Sequence, residues 1–503
     1  MEALMLAAAL LSAEPSAVLT NAPETWRRAT IEIALHEVEA ITDAYQKTHQ
    51  LTQIGREQLR EDEDRFERTI RNALAESKFI SEVTFRGWAL RDIVALQLAA
   101  DDFIGARNTL DLITSDAPRA AALQSIAIWQ LRAGQKDEAL ATSRRIADRD
   151  RRGDVENAIV VKLVQQGAIG EAETLATQIQ DASDKAFALG EIAAAATRKG
   201  DRDLANDLAR RTAKSQRDVV YQRIALTASE LGEFSTASAA AHQVRENVDL
   251  VIVLARVSAD AARADQSNIA KRLMDDALAA ANRMQSRDPR RALTWAHLAH
   301  YEDAVDRNAS KISLNRAQSY VSELSRTEQR DPVLDVIART RAMQGELDAA
   351  MKVASQLEDT FRRGVLIRDL VASQTTLSSA RALAQAVDQK SVAADQAAAW
   401  LGAVAMISRQ PNASRSDTLS TVESAATAFE AVASGSMKCA ALAALALARN
   451  NVGESGETLM QEGLRIVLSM PSPEQKVDAL VQILQVLNGK LPMTSEPPQE
   501  SIH

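Results

Sequence analysis

Apolar residues recur along the chain at helical spacing, and short polar breaks interrupt them at regular intervals. For example, Leu123, Ala127 and Leu131 fall on one face of a helix. Gly134 then ends the apolar run, and a second run with its own apolar face follows. Glycine suits this place because it tolerates the left-handed backbone that often closes a helix. The pattern predicts a helix, a tight turn and a second helix.

This predicted hairpin repeats with steps of 33, 33 and 32 residues between its glycines. Three sets of positions mark the repeat: the glycines, alanines five residues later and isoleucines eight residues earlier. They are Gly134, Gly167, Gly200 and Gly232; Ala106, Ala139, Ala172, Ala205 and Ala237; and Ile93, Ile126, Ile159, Ile192 and Ile224. A fixed period of this size is typical of repeat proteins. One hairpin cannot bury its apolar face alone, so neighbouring hairpins are predicted to stack.

The unit resembles the tetratricopeptide repeat, whose large, small and glycine positions are matched here by Leu123, Ile126, Ala127, Gly134, Ala139 and Ile146. The segment WAHLA at 295–299 is similar to the same motif, and the resemblance covers about residues 87–390. The chain departs from the family pattern in its aliphatic residues at aromatic positions and in the missing closing proline. The resemblance implies an all-α protein, a right-handed α-solenoid of stacked antiparallel helix hairpins that forms a superhelix.

The regularity of the pattern divides the chain into six predicted regions. Before residue 87, two long amphipathic helices at 24–50 and 56–78 are expected to cap the first repeat. No glycine occurs between Gly232 and Gly345, which indicates longer helices or a bend near 280–315. The regions are 1–23, an apolar segment; 24–86, capping helices; 87–407, repeats; 408–417, a loop; 418–489, helical hairpins and a capping helix; and 490–503, a flexible tail.

The N-terminal segment leaves two interpretations open. LMLAAALLSA at 4–13 has the length of a secretory apolar segment, but Glu2 precedes it and no lysine or arginine does. If 1–17 is a cleaved signal, the protein is exported to the periplasm or envelope. If the segment is a first helix, a cytoplasmic location is favoured, and this is the preferred interpretation. No apolar run is long enough to predict a membrane-spanning helix.

Composition narrows the possible functions. The formal net charge of −9 disfavours broad nucleic-acid binding, which needs a surplus of lysine and arginine, so no nucleic-acid partner is predicted. The basic stretch at 144–152 is interpreted as a solvated loop between helices. Cys439 is the only cysteine, which excludes an intramolecular disulfide and a multi-cysteine metal site. It lies in an apolar run and is predicted to be buried.

Motifs of enzymes are missing from the sequence. It contains no GxG, no GxxxxGK, no GxSxG and no HExxH. His297 and His300 stand three residues apart, near Glu302 and Asp303, and would bind a metal only with a third ligand from another helix. The preferred interpretation is a polar surface. No enzyme activity and no cofactor are predicted, and an enzyme-supporting or metal site at 295–303 or an exported structural envelope protein are the alternatives.

In the repeats that this chain resembles, the first helix of each hairpin lines a concave face that holds peptides or partner helices. That resemblance places an amide column of Gln124, Asn157 and Gln222 beside an aliphatic column of Ile128, Val161 and Leu226 on this face. The predicted binding residues are Gln124, Ile128, Leu131, Arg132, Asn157, Val161, Gln165, Arg198, Gln222, Leu226 and Glu230. The aliphatic column has a second interpretation, packing against the next repeat. The predicted function is a scaffold or adaptor for another protein or peptide, with its oligomeric state open.

Overall fold

The computed structural model describes residues 22–59, 63–285, 288–388, 393–409, 414–430 and 435–490. All regular secondary structure within these ranges is helical, and 26 helices follow one another. Three predicted segments lie wholly or partly outside the described residues: the N-terminal apolar segment 1–23, the loop 408–417 and the tail 490–503.

The helices alternate along the chain with short turns. The first thirteen are α1 Ala22–Val38, α2 Ala44–Gln58, α3 Glu63–Ser77, α4 Val83–Ala99, α5 Phe103–Leu110, α6 Asp116–Arg132, α7 Lys136–Ser143, α8 Arg149–Gln165, α9 Ile169–Gln178, α10 Ala182–Arg198, α11 Arg202–Arg211, α12 Arg217–Glu230 and α13 Phe234–Ala241.

The remaining helices continue the same alternation. They are α14 Asn247–Arg263, α15 Ser267–Asn282, α16 Arg291–Glu302, α17 Arg307–Val321, α18 Thr327–Met343, α19 Leu347–Ala354, α20 Thr360–Ala372, α21 Leu377–Asp388, α22 Ala393–Arg409, α23 Arg415–Glu430, α24 Ser436–Asn451, α25 Glu457–Leu468 and α26 Pro473–Leu487.

The chain forms two compact units. Unit 1 consists of Met1–Pro118 together with Glu358–His503, and unit 2 is Arg119–Leu357. Unit 2 contains the most regular hairpins, in which a first helix such as α8 or α10 has 17 residues and the following second helix has 10. No helix among the described residues combines the length and hydropathy needed to cross a bilayer.

The glycine turns have the predicted backbone. Gly134 and Gly200 lie at φ 80° and 76°, and behind Gly134 the amide of Gln135 donates to the carbonyl of Gln130 at 2.8 Å. This bond satisfies a carbonyl that the helix end leaves free. Where the glycine is missing, Asp265 adopts φ 58°, because a short polar side chain tolerates this conformation better than most residues do. The repeat therefore continues past Gly232 without a glycine.

Two longer second helices flank the segment near 280–315 in which the sequence predicts longer helices or a bend. The second helices α15 and α17 have 16 and 15 residues, whereas α13 has eight. The alanines that follow the glycines are buried throughout the regular part, with Ala139 and Ala172 at 0% exposure. No larger side chain fits at such positions without displacing a neighbouring helix.

The N-terminal helices differ from the sequence prediction. The single helix predicted at 24–50 is wrong, because the chain breaks at 39–43 and forms α1 and α2. Asp43 explains the break, since its carboxylate accepts a hydrogen bond from the amide of Gln46 at 2.8 Å and begins a new helix. The segment 56–78 likewise does not form one helix, because α2 ends at Gln58 and α3 begins at Glu63.

Within unit 1, the two predicted capping regions pack against each other. Trp26 of α1 is 1% exposed, and its indole Nε1 donates to Glu457 Oε2 at 2.9 Å. The buried carboxylate of Glu57 accepts hydrogen bonds from Asn488 Nδ2 and Lys490 Nζ, both at 2.8 Å. Helices near the beginning and the end of the described chain thus cover each other's apolar faces.

Candidate functional site

The first helices of unit 2 pack side by side, as is expected for the concave side of a helical-repeat protein. Successive first helices α8, α10, α12, α14, α16 and α18 pack directly against one another. Second helices of neighbouring hairpins are instead bridged by ion pairs of long side chains, such as Arg211 to Glu173 at 2.7 Å. Hairpins that approach on one side and separate on the other produce curvature, with the first helices inside.

The predicted binding residues all lie on the first helices α6, α8, α10 and α12, in three degrees of exposure. At the last turns of these helices, the exposed members are Arg132, Gln165, Arg198 and Glu230. Members that are half-buried occupy the middle of the face and comprise Gln124, Ile128, Val161, Gln222 and Leu226. Two are buried, Leu131 and Asn157.

The amide column links neighbouring hairpins. Gln124 Nε2 donates to Asp154 at 3.0 Å, and Asn157 Nδ2 donates to Asp184 at 3.1 Å. Gln222 makes the same kind of side-chain hydrogen bond to an aspartate of the next first helix, Asp249. These amide N–H groups therefore already have acceptors, and each amide orients an acidic side chain on the concave side.

Two of these aspartates lie in unfavourable surroundings for a negative charge. Burial raises the pKa of Asp184, and the nearby acids Asp181, Asp154 and Asp150 raise it further. Burial also raises the pKa of Asp249, and neighbouring acids add to this effect. The hydrogen bonds from the amides act in the opposite direction, because they stabilise the ionised form.

Glycine makes room for one of the aspartates. A Cβ atom placed on Gly153 of α8 would collide with Asp184 Oδ2, so any other residue here would force the Asp184 carboxylate to move. At the next junction, a Cβ on Gly190 would already contact the Arg223 side chain at 3.6 Å. The first helices α8, α10 and α12 therefore pack closely where the acidic side chains lie.

A row of exposed and half-buried apolar side chains lies on the same face and was missed by the sequence prediction. Phe187 on α10 is 45% exposed, Val219 on α12 is 38% exposed, and Ile252 on α14 is half-buried. Their steps of 32 and 33 residues follow the repeat. The spacing of 32 and 33 residues could have revealed this row. It was missed because the tetratricopeptide pattern assigns no characteristic residue to this position.

The substitution Asp184→Asn is expected to raise the urea midpoint of unfolding at pH 7. Folding raises the pKa of Asp184. The free energy of unfolding of the wild-type protein therefore falls as the pH rises towards and through that pKa. Below the ordinary aspartate pKa, both states are protonated and the advantage of asparagine should vanish. Urea titrations of the two proteins at pH 7 and pH 3 measure this difference. A lower midpoint at pH 7 would contradict the expected cost of the charge.

The histidine pair of α16 lacks a metal-binding arrangement. Burial lowers the pKa of both His297 and His300, and His300 Nδ1 lies 3.2 Å from Thr340 Oγ1. In the part of the chain that the structure describes, no group of three histidine, cysteine, aspartate or glutamate side chains is placed to hold a metal ion. Cys439 is buried, and burial raises the pKa of its thiol to about 12, which keeps it protonated at neutral pH.

Comparisons with known proteins add little to these observations. Neither a family model nor a curated protein matches the sequence. Among solved structures, Ton1535 from Thermococcus onnurineus is 14% identical and covers 74% of this chain and 99% of its own, with a TM-score of 0.25. The Cut9–Hcn1 hetero-tetramer of the APC/C is 12% identical and covers 93% and 99%, with a TM-score of 0.20.

A circular tandem repeat protein of novel repeat topology is 11% identical over 97% of each chain, with a TM-score of 0.12. TM-scores this low do not support a conclusion about function. The class of this protein is therefore assigned from its own helices. The described chain consists of regular helix–turn–helix units, and glycines with positive φ close many of the first helices. It is therefore an α-solenoid of tetratricopeptide-like hairpins.

Proposed function

We propose that this protein is a non-enzymatic scaffold that binds another protein through the concave face of unit 2. The main support is the row of exposed Phe187, exposed Val219 and half-buried Ile252, which recurs at one repeat position on three adjacent first helices. Single exposed apolar side chains are common on protein surfaces. An aligned row on a curved surface is a feature of binding grooves.

The surroundings of this row suit a protein interface. Half-buried aliphatic side chains at Val161 and Leu226 extend the apolar surface one to two turns along the first helices. Exposed polar side chains at Gln165, Arg198 and Glu230 border it at the helix ends. An apolar centre with a polar rim is the usual composition of a specific interface.

Site-specific photo-crosslinking tests which face of unit 2 binds the partner protein. A photoreactive amino acid at Val161 or Leu226, on the concave side, is expected to crosslink a discrete partner in native lysate. The same group at Asn206, which is exposed on the second helix α11, is the matched control and is expected to give no such product. Mass spectrometry of the adducts identifies the captured protein and the crosslinked position. Equal labelling at Asn206, or no adduct at the concave positions, would contradict the proposed face.

A further inference from the structure

Building on the proposed function, we infer that the concave face of unit 2 recognises an amphipathic segment that carries both apolar and basic side chains. The apolar side chains of the partner cover Phe187, Val219 and Ile252. Lysine or arginine side chains of the partner pair with Asp184 and Asp249. The inference therefore concerns the chemistry of the partner and goes beyond the use of this face.

The acidic and apolar side chains are arranged in the same order on two first helices. Asp184 precedes Phe187 by three residues on α10, and Asp249 precedes Ile252 by three residues on α14. Residues three apart lie on the same side of a helix, about one turn along the axis. The aspartates therefore flank the apolar row on the side towards the helix N-termini.

The protein itself leaves these acids without cationic partners. Among the described residues, no lysine or arginine forms an ion pair with Asp184 or Asp249, whose side-chain hydrogen bonds come from Asn157 and Gln222. Arg290 is near enough to lower the pKa of Asp249 through its charge, but it forms no ion pair with Asp249. Its ion pairs are with Glu246 and Asp288. A basic side chain from a partner would supply the missing positive charge.

One hydrogen-bonding atom beside Asp184 is also unsatisfied. Asn157 is 8% exposed, and its carbonyl Oδ1 is buried without a hydrogen-bond donor. The amide of the same side chain holds Asp184, so the free acceptor and the carboxylate belong to one cluster. Buried acceptors without donors are uncommon in folded proteins and call for an explanation. A lysine ammonium of the partner that pairs with Asp184 has further N–H groups. After a rearrangement of the Asn157 side chain, one of these groups can donate a hydrogen bond to Asn157 Oδ1.

Helix stabilisation alone does not explain these acids. A carboxylate in the first turn of a helix is favoured by the helix dipole, and Asp184 and Asp249 both occupy such places. Burial and neighbouring acids nevertheless raise the pKa of both carboxyls, so the negative charge is unfavourable where it lies. Acidic side chains with raised pKa values cluster at functional sites.

The other side of the row is electrostatically different. Glu191 and Arg223 pair with each other at 2.8 Å beside Phe187 and Val219, and Arg256 follows Ile252 by one turn. The face is thus acidic towards the helix N-termini and neutral or basic on the opposite side. This asymmetry determines which edge of the partner carries the basic side chains.

The spacing of the row permits a helical probe. Packed helices lie about 8–10 Å apart, and seven residues of a helix, close to two turns, rise about 10.5 Å. A helix that crosses α10, α12 and α14 therefore presents every seventh side chain to successive members of the row. A fluorescent peptide of about 21 residues, with leucine at every seventh position and lysine along one adjoining edge, reproduces this chemistry.

Fluorescence anisotropy with the full-length protein tests the inference. The lysine peptide is expected to bind, and the same peptide with glutamate in place of lysine is expected not to bind. Binding should weaken about tenfold in the double variant Asp184→Asn, Asp249→Asn, and high salt should weaken it for the wild type. The matched control is Asp203→Asn, Asp275→Asn, which removes the same charge from exposed positions on second helices and should bind like the wild type.

A second pair of variants tests the apolar part. Phe187→Ala is expected to weaken binding of the lysine peptide, whereas Ile312→Ala, at an apolar residue on the second helix α17 that is 66% exposed, is not. Equal binding of the two peptides, or equal effects of the aspartate variants and their control, would overturn the inference. So would failure of both peptides to bind.

The photo-crosslinks separate this result from failure of the proposed function. If adducts form at Val161 and Leu226 while the peptide tests fail, the face binds a partner of different chemistry and only the inference is wrong. If the adducts are also missing, the proposed function is wrong as well.

Discussion

Replacing Trp26 with alanine is expected to lower the free energy of unfolding by about 3–5 kcal/mol. Trp26 is 1% exposed between the helices near the two ends of the described chain, so its loss leaves a large cavity. The substitution also removes the indole N–H that donates to Glu457 Oε2 at 2.9 Å, and Glu457 is itself buried. An acceptor left without its donor adds to the cost. Urea denaturation followed by circular dichroism measures the change.

Two further variants separate the causes. Trp26→Phe keeps most of the apolar volume but removes the donor, so it is expected to cost about 1–3 kcal/mol. Phe79→Ala is the control, because Phe79 is 76% exposed and its truncation should change stability by less than about 0.5 kcal/mol. If Trp26→Ala is no more harmful than Phe79→Ala, the packing of α1 against the C-terminal helices does not contribute to stability.

The second large effect is expected at the repeated alanine. Ala172 on α9 is completely buried, and leucine at this position would have to displace a neighbouring helix. Overpacking of this kind typically costs about 1–3 kcal/mol. Because alanine and leucine both favour helices, the loss reports on tertiary packing more than on helix propensity. The same denaturation measurement applies, with the shift of the urea midpoint as the result.

Ala141→Leu is the matched control for this substitution. Ala141 is exposed on the second helix α7, so the same chemical change there meets no neighbour. Its expected effect is within about 0.5 kcal/mol. Equal midpoints for Ala172→Leu and Ala141→Leu would show that the recurring alanine does not mark a close approach of helices.

The repeating unit was predictable because its determinants are local. A glycine that must adopt positive φ, such as Gly134 or Gly200, is recognisable from its position after an apolar run. Ala139 and Ala172 recur at one distance from those glycines. The missing glycine after Gly232 was also visible, but its replacement by Asp265 in the same left-handed conformation depends on the backbone, which the sequence pattern does not report.

The candidate site was only partly predictable. The sequence identified the first helices and several of their exposed side chains, including Arg198 and Glu230. It placed Gln124 and Gln222 on the correct helices but could not name their partners, since the acceptors lie about 30 residues away on the next hairpin. Phe187 was overlooked because a repeat motif records the packed positions, and an exposed side chain contributes nothing to packing.

The sequence by itself determined the hairpins, their period and the side chains that fill each hairpin's core. These features arise from interactions between residues close together in the chain, which leave a periodic pattern. Only the tertiary structure decided that Trp26 meets Glu457, 431 residues away, and that Asp184 rests against Gly153 of the preceding hairpin. Such contacts depend on how successive helices are oriented, and no spacing along the chain encodes that orientation directly.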